Sequence, residues 1–144
     1  MTVAVLGAGA FGTALAIALS EGDGAVTLWA RDADHAAQMQ ASRRNDRRLP
    51  GVALPDGLRV TSDLGALRAD CLLLAMPMQA LRTFLAENPD LLPDAALVAC
   101  SKGVDLNTLQ GPVGVIAQAR PQAAAALLTG PSFAADIARG LPTA

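Results

Sequence analysis

The 144-residue sequence predicts an α/β protein built on a doubly wound parallel sheet. Short apolar runs alternate with longer helical patterns, and this β-α-β-α-β order implies parallel strands joined by right-handed crossovers. Most of the runs are apolar throughout, as in strands covered by helices on both faces. A glycine-rich turn also follows the first run directly. We interpret residues 1–144 as a single domain, because this length can bury one substantial core.

The elements follow one another at regular spacing along the chain. Six mostly apolar runs predict strands, at residues 2–6, 25–29, 59–61, 71–75, 96–100 and 126–129. Five patterns predict helices, at residues 10–20, 33–41, 78–87, 108–119 and 132–139. Asp32 and Asn107 are the expected N-caps of the second and fourth helices. Residues 43–58, which are rich in proline and glycine towards their end, predict a loop.

The composition excludes several functional classes. A hydrophobic content of 52% with 17% charged residues indicates an ordered globular protein. The net charge of −2 argues against a nucleic-acid-binding protein. The basic run at 43–48 lacks interleaved aromatics, so most of it is expected to be a solvated helix end. No apolar run approaches the roughly 18 residues of a transmembrane segment. Cys71 and Cys100 are expected as small buried hydrophobes, which favours a reducing cytoplasm.

The glycine turn, Gly-Ala-Gly-Ala-Phe-Gly at residues 7–12, joins the first strand to the first helix. Gly7 would permit the tight turn, Gly9 would let the backbone approach a pyrophosphate, and Gly12 would let helix and strand pack closely. The N-terminus of the helix would offer free N–H groups and a positive dipole end to phosphates. In this strand–turn–helix context the hexad predicts a Rossmann-type, NAD(P)-binding domain.

The end of the second strand bears on the choice of cofactor. An NAD site usually places an acid there to bind the ribose 2′-hydroxyl, whereas Arg31 precedes Asp32 in this chain. An arginine can hold a 2′-phosphate and stack on adenine, so NADPH is favoured over NADH. Alternatively, Arg31 is only solvated and Asp32 is only a cap. Arg48, before Leu49, is a further candidate for the adenosine end of the cofactor.

Other unusual residues follow the remaining strands, where ligands bind in open α/β sheets. Pro77 opens a helix at a turn where a nicotinamide ribose could rest. Lys102, the only lysine of the chain, follows the fifth run and suits a phosphate or a polarised carbonyl. Gly130 and Ser132 would offer a backbone surface, a hydroxyl and a helix N-terminus to an anion. The single histidine, His35, is expected to be solvated, and neither metal-ligand spacing nor a hydrolase triad is apparent.

With these motifs the sequence resembles the N-terminal part of the bacterial-type NAD(P)H-dependent glycerol-3-phosphate dehydrogenases. The segments that carry the resemblance are Gly-Ala-Gly-Ala-Phe-Gly-Thr-Ala-Leu-Ala at 7–16, Leu-Trp-Ala-Arg-Asp at 28–32, Leu-Pro-Gly at 49–51, Ser-Lys-Gly at 101–103, Gly-Pro-Ser-Phe-Ala at 130–134 and Gly-Leu-Pro-Thr-Ala at 140–144. The resemblance implies reversible reduction of dihydroxyacetone phosphate to sn-glycerol 3-phosphate, which supplies phospholipid synthesis.

The resemblance also implies roles for single residues. Lys102 matches a lysine shared by cofactor and substrate, and Gly130 and Ser132 match substrate-binding positions. The positions that match NADPH contacts are Ala10, Phe11, Arg31, Arg48 and Ala134. The family takes its general acid, a second lysine, from a helical C-terminal domain. We therefore expect this chain to be the N-terminal part of a longer, cytoplasmic enzyme, with a homodimer as the expected assembly of the full-length protein.

Two other interpretations remain open from the sequence. One is another two-domain reductase with the same N-terminal plan, such as a ketopantoate reductase. The other is a non-catalytic module that senses a nucleotide and regulates a partner, and this module would not need Lys102.

Overall fold

The computed structural model describes residues 1–142 as a six-stranded sheet covered by helices on both faces. Thr143 and Ala144, which end the Gly-Leu-Pro-Thr-Ala motif, lie outside the described residues. The strands are β1 (Val3–Leu6), β2 (Val26–Trp29), β3 (Arg59–Thr61), β4 (Cys71–Leu74), β5 (Ala96–Ala99) and β6 (Ala125–Leu127). Their order is β3-β2-β1-β4-β5-β6, and every neighbouring pair is parallel. The doubly wound parallel sheet is therefore confirmed.

The helices divide between the two faces of the sheet. They are α1 (Ala10–Leu19), α2 (Ala33–Ser42), α3 (Met78–Glu87), α4 (Pro112–Ala119) and α5 (Ala134–Ile137). Helices α1, α2 and α5 pack on the face that includes Val3 and Val5 of β1. Helices α3 and α4 pack on the face that includes Ala4 and Leu6. Successive side chains of a strand point to opposite faces, so β1 is buried on both sides and is apolar throughout.

The strands end in one row, and this register defines the edge of the sheet that carries the candidate site. Pairing aligns the last residues of all six strands: Thr61, Trp29, Leu6, Leu74, Ala99 and Leu127. The segments that follow these strands consequently start side by side, at the carboxyl edge where open α/β sheets bind ligands.

The fourth helix begins later than the sequence predicts. Residues 105–110 form a turn in which the Asp105 carboxylate accepts hydrogen bonds from the amide and hydroxyl of Thr108. Leu109 has a φ of 58°, a left-handed conformation that a right-handed helix does not contain. Helix α4 therefore starts at Pro112, with Gly111 as its N-cap. The predicted start at residue 108 and the predicted cap Asn107 are therefore wrong. Proline is favoured in the first turn because it lacks the N–H that helices leave unpaired there.

The last elements are also shorter than predicted. Strand β6 covers Ala125–Leu127 and not 126–129, and α5 covers Ala134–Ile137 and not 132–139. The backbone of Gly140, at φ 67°, closes the end of α5 by donating to the Ile137 carbonyl. The other predicted strands and helices differ from the structure by at most one residue at an end. Among residues 1–142, no helix combines the length and apolar character needed to cross a membrane.

Candidate functional site

Two glycines of the turn after β1 are required by packing. Gly7 has a φ of 120°, and its amide donates to the Trp29 carbonyl at 3.0 Å. A β-carbon at Gly7 would collide with the carbonyl oxygen of Ala75. A β-carbon at Gly12 would collide with the Gly7 carbonyl oxygen and lie 3.0 Å from the β-carbon of Ala75. These contacts explain why neither position can hold a larger residue.

The third glycine of the turn is different, because packing does not require it. Gly9 is the N-cap of α1, its backbone is extended, and a β-carbon there would meet nothing within 4 Å. No side chain caps α1, and its first turn contains no acidic residue. The amides of Ala10 and Phe11, which open the helix, follow directly after this open position. We call this open position, beside the positive end of the helix, the Gly9 cradle, and it fits a phosphate group.

Two charged residues follow β2: an exposed arginine, Arg31, and an acid that caps the next helix, Asp32. Asp32 caps α2, since its carboxylate accepts from the His35 amide at 2.8 Å. This hydrogen bond lowers the pKa of Asp32 below its ordinary value. Arg31 is exposed and, within residues 1–142, no hydrogen bond or ion pair of its side chain is found. The predicted cap is confirmed, and Arg31 is an exposed cation at this strand end.

The basic run at 43–48 is not simply a solvated helix end. Arg43, at a φ of 53°, donates from its guanidinium to the carbonyls of Pro55 and Leu58 and so ties the loop together. Asn45 is only 1% exposed and contacts the glycine turn. The remaining charged residues of the run are exposed, as predicted: Arg44, Asp46, Arg47 and Arg48.

The segments after β4 and β5 place Pro77 and Lys102. Pro77 is the N-cap of α3 and follows β4 by three residues. The Lys102 ammonium is exposed and donates to the Gly130 carbonyl at 3.2 Å, which joins the segments that follow β5 and β6. Gly103, at a φ of 91°, turns the chain away directly after the lysine. The structure therefore brings together Lys102 and Gly130, which are far apart in the sequence.

The loop after Lys102 is held to α3 by one glutamine side chain. The Gln79 amide nitrogen donates to the Val104 carbonyl at 2.8 Å, and its oxygen accepts from the Leu106 amide at 3.0 Å. Close by, Asp105 is 1% exposed and faces the Arg82 guanidinium at 3.5 Å. The hydrogen bond from Thr108 is the main reason why the pKa of Asp105 lies below its ordinary value.

A cleft joins the glycine turn to the segment after β6. It measures about 250 Å³ and is lined by Phe11, Leu15, Leu128, Thr129, Gly130, Ser132 and Ile137. Ser132 lies two residues before α5, a helix of only four residues whose N-cap is Phe133. Ala134 is the first residue of α5 and packs against the core. A larger depression, of about 350 Å³, is lined by residues 92–95 and 119–123 and contains no candidate residue.

Comparison with known proteins assigns the chain to a family. The family model described as the N-terminus of NAD-dependent glycerol-3-phosphate dehydrogenase matches residues 2–144. This chain belongs to that family. Glycerol-3-phosphate dehydrogenase (NAD(P)+) of Ruegeria sp. strain TM1040 is 58% identical over 145 residues, which cover 100% of this chain and 45% of the relative. The corresponding protein of Paracoccus denitrificans strain Pd 1222 is 56% identical and is covered to 44%.

A crystal structure of glycerol-3-phosphate dehydrogenase from Coxiella burnetii has the same fold, with a TM-score of 0.90 and 32% sequence identity. The match covers 99% of this chain and 44% of that one. The chain thus spans about 45% of the length of the curated relatives that it matches. The resemblance inferred from the sequence motifs is confirmed at the level of the family.

Sequence reasoning missed two residues of the domain. Asn45 is buried against the glycine turn, and Gln79 holds the loop behind Lys102. Neither position stands out in the sequence, because asparagine and glutamine are usually solvated.

His35 is half-buried, with its Nε2 3.1 Å from the Asn45 side-chain oxygen, so the expectation of a solvated histidine is wrong. Cys71 and Cys100 are half-buried free thiols, and burial raises the pKa of Cys100 to about 11.

Proposed function

We propose that this domain binds NADPH, and NADH less tightly, and contributes to reversible reduction of dihydroxyacetone phosphate to sn-glycerol 3-phosphate for glycerophospholipid synthesis. The observation that carries the proposal is the open cradle at Gly9, between two glycines that packing explains. At the opening of the helix that directly follows the central strand β1, a glycine that packing leaves free lets a phosphate approach the backbone closely. Membership of the glycerol-3-phosphate dehydrogenase family supports this interpretation.

Residues that follow β1, β2 and β4, together with Arg48 after α2, would hold the cofactor. The pyrophosphate would lie at the start of α1, where the amides of Ala10 and Phe11 and the helix dipole favour negative charge. Arg31 would pair with a 2′-phosphate, because its guanidinium is exposed while Asp32 is engaged in capping α2. Arg48 would cover the adenosine end, and Pro77 would lie against the nicotinamide ribose.

The segments after β5 and β6 would hold the substrate. Lys102 would exchange its hydrogen bond to the Gly130 carbonyl for one to the substrate, whose phosphate or carbonyl oxygen an ammonium attracts. Gly130 and Ser132 follow β6 and line the cleft that also contains Phe11, while Ala134, further along the chain, would contact the cofactor. When bound, the nicotinamide supplies the hydride. Lys102 would stabilise the negative charge that develops on the carbonyl oxygen.

The proton for the developing alkoxide would come from outside this chain. Lys102 is its only lysine and serves as the electrostatic partner of the substrate in this proposal. Because the chain spans about 45% of its relatives, the rest of such an enzyme is available to supply a general acid. We propose that the enzyme is cytoplasmic, in keeping with the two free thiols of the chain. We also propose that it is a homodimer.

The cofactor part of the proposal is tested by substituting Gly9. NADPH fluorescence is titrated with the purified chain, with Gly9→Val and with Gly111→Val. Gly111 is a matched control, because it is also an uncapped helix N-cap with extended backbone and with nothing within 4 Å of a β-carbon. We expect Gly9→Val to weaken NADPH binding more than about tenfold, which corresponds to about 1.4 kcal/mol. Absence of binding by the unsubstituted chain, or equal losses in both variants, would contradict the proposal.

A further inference from the structure

The basic run contains one residue whose environment is unlike that of its neighbours. Asn45 is 1% exposed, whereas Arg44 and Asp46 on either side of it are exposed and form a surface ion pair at 2.9 Å. A buried amide must satisfy its hydrogen-bonding groups, because an unpaired polar group in the interior costs free energy. The hydrogen bonds of the Asn45 side chain therefore show which segments of the chain it connects.

The side chain of Asn45 uses both of its polar ends. Its nitrogen donates to the Ala8 carbonyl at 3.0 Å and to the Thr13 hydroxyl at 2.7 Å. Its oxygen lies 3.1 Å from Nε2 of His35. Since a carbonyl can only accept, the amide nitrogen must face Ala8, and the oxygen then accepts from a protonated Nε2. The amide bridges the glycine turn, the first turns of α1 and the start of α2.

The backbone of Asn45 extends this bridge to the arginines that follow. Its carbonyl accepts from the amide of Arg48 at 3.1 Å and from the amide of Leu49 at 2.8 Å. Leu49 is buried, which anchors the turn to the core, while Arg48 remains exposed. A single residue thus fixes the placement of Arg48 relative to Ala8, across 40 residues of sequence.

We propose that Asn45 is a positioning residue of the cofactor site. By holding the Ala8 carbonyl, it sets the orientation of the peptide that leads into Gly9 and hence of the amides that open α1. By holding the amide of Arg48, it sets the adenosine end of the same site. This inference rests on the proposed function, because it assigns a purpose to the turn that Asn45 holds.

The decisive variant is Asn45→Asp, which keeps the size of the side chain and an oxygen towards His35. It replaces the amide donor by a second oxygen, which the Ala8 carbonyl repels. The matched control is Gln40→Ala on α2, which removes a side-chain hydrogen bond to the Val60 amide at 2.7 Å without touching the glycine turn. Thermal unfolding of both variants shows how far each is destabilised.

Two measurements test the positioning role. In NADPH titrations of the full chain, Asn45→Asp is expected to raise Kd about tenfold, as for the loss of one well-placed buried hydrogen bond, while Gln40→Ala leaves Kd unchanged. In the free chain, hydrogen exchange of the Thr13 amide, which donates to the Gly9 carbonyl at 2.9 Å, is expected to accelerate in Asn45→Asp only.

The two arms separate this inference from the proposed function. An unchanged Kd in Asn45→Asp, or an equal loss in Gln40→Ala, would overturn the positioning role. If the unsubstituted chain binds no NADPH, the proposed function fails, and the exchange of the Thr13 amide then decides whether Asn45 holds the turn. Equal exchange in Asn45→Asp and in the unsubstituted chain would overturn the inference in that case.

Discussion

The sheet has two halves, a first half of β3, β2 and β1 and a second half of β4, β5 and β6, which hold their candidate residues in different ways. After β1, the glycine turn is fixed by backbone packing and by the buried amide of Asn45. After β5, the exposed Lys102 makes one hydrogen bond, to the Gly130 carbonyl. The loop that follows it is held by side chains that reach across from α3, above all by Gln79. The contacts around the glycine turn are buried or part-buried, whereas those of Lys102 and Gln79 are exposed.

The second half also leaves much more apolar surface uncovered. Leu106 and Leu109 are 73% and 75% exposed, and Phe133 is 74% exposed. Helix α5 contains no buried residue, whereas α1 buries five. A rigid turn suits a pyrophosphate, whose shape is the same in every dinucleotide. In the function proposed above, the exposed lysine would meet a substrate that enters and leaves in each turnover.

The largest expected contrast between the halves comes from glycine-to-alanine substitutions in α1 and α4. Gly12→Ala is expected to destabilise the chain by about 2 kcal/mol or more, because the new β-carbon would collide with the Gly7 carbonyl. Gly114→Ala is expected to stabilise it by about 0.5–1 kcal/mol, since the new β-carbon would lie 3.4 Å from Gln110 and alanine favours helix. Urea unfolding measures both, and effects of the same sign would show that the two helices do not differ in this respect.

A smaller contrast is expected between the two glutamine contacts. Gln79→Ala removes both hydrogen bonds that hold residues 104–106, so we expect a loss of about 1 kcal/mol in the free energy of unfolding. Faster hydrogen exchange of the Leu106 amide should accompany this loss. Gln40→Ala removes a single bond in the first half and is expected to affect stability less. If Leu106 exchanges equally fast in the unsubstituted chain and in Gln79→Ala, the loop is not held by this residue.

The smallest expected contrast concerns pH and two acids that accept hydrogen bonds from backbone amides, Asp32 in the first half and Asp105 in the second. The pKa of Asp105 is lowered in the folded chain, chiefly by the Thr108 hydrogen bond. The resulting stability is present above the unfolded-state pKa of about 3.9 and is lost as the pH falls through the lower folded-state value. Asp105→Asn should therefore be less stable than the unsubstituted chain at pH 6, by an amount that shrinks towards pH 3.

Asp32→Asn is the control in the first half, because asparagine caps helices about as well as aspartate does. At pH 6 its free energy of unfolding should therefore lie closer to that of the unsubstituted chain than that of Asp105→Asn does. Denaturant midpoints measured from pH 6 to pH 3 provide the comparison. A gap between Asp105→Asn and the unsubstituted chain that stays constant over this range would contradict the assignment to Asp105.

The sequence predicted the elements best where local pattern and packing agree. The continuous apolar runs of β1, β4 and β5 predict strands covered on both faces, and the structure places helices on both faces of the sheet. Prediction failed at α4, which was expected to start at Thr108. The left-handed backbone of Leu109 and the turn closed by Asp105 exclude a helix there, and both depend on the loop as a whole.

The candidate site was predictable to a similar degree. The glycine turn and Lys102 were found from sequence, because a strand–turn–helix motif is local and a single lysine is conspicuous. Asn45 and Gln79 were not found, because their partners lie 25 to 37 residues away in sequence. No local pattern distinguishes an amide that reaches such a partner from one that faces water.

By itself, the sequence determined the fold class, the order of the strands and helices, and the family to which the chain belongs. Periodicity and turn chemistry act over a few residues, so one sequence is enough to reveal them. The tertiary structure alone decided that Gly9 has open space while Gly7 and Gly12 do not. It also decided that Asn45 is buried against the turn and that Lys102 meets Gly130. Each of these facts is set by which backbone lies opposite a residue, and the packing of distant segments determines that.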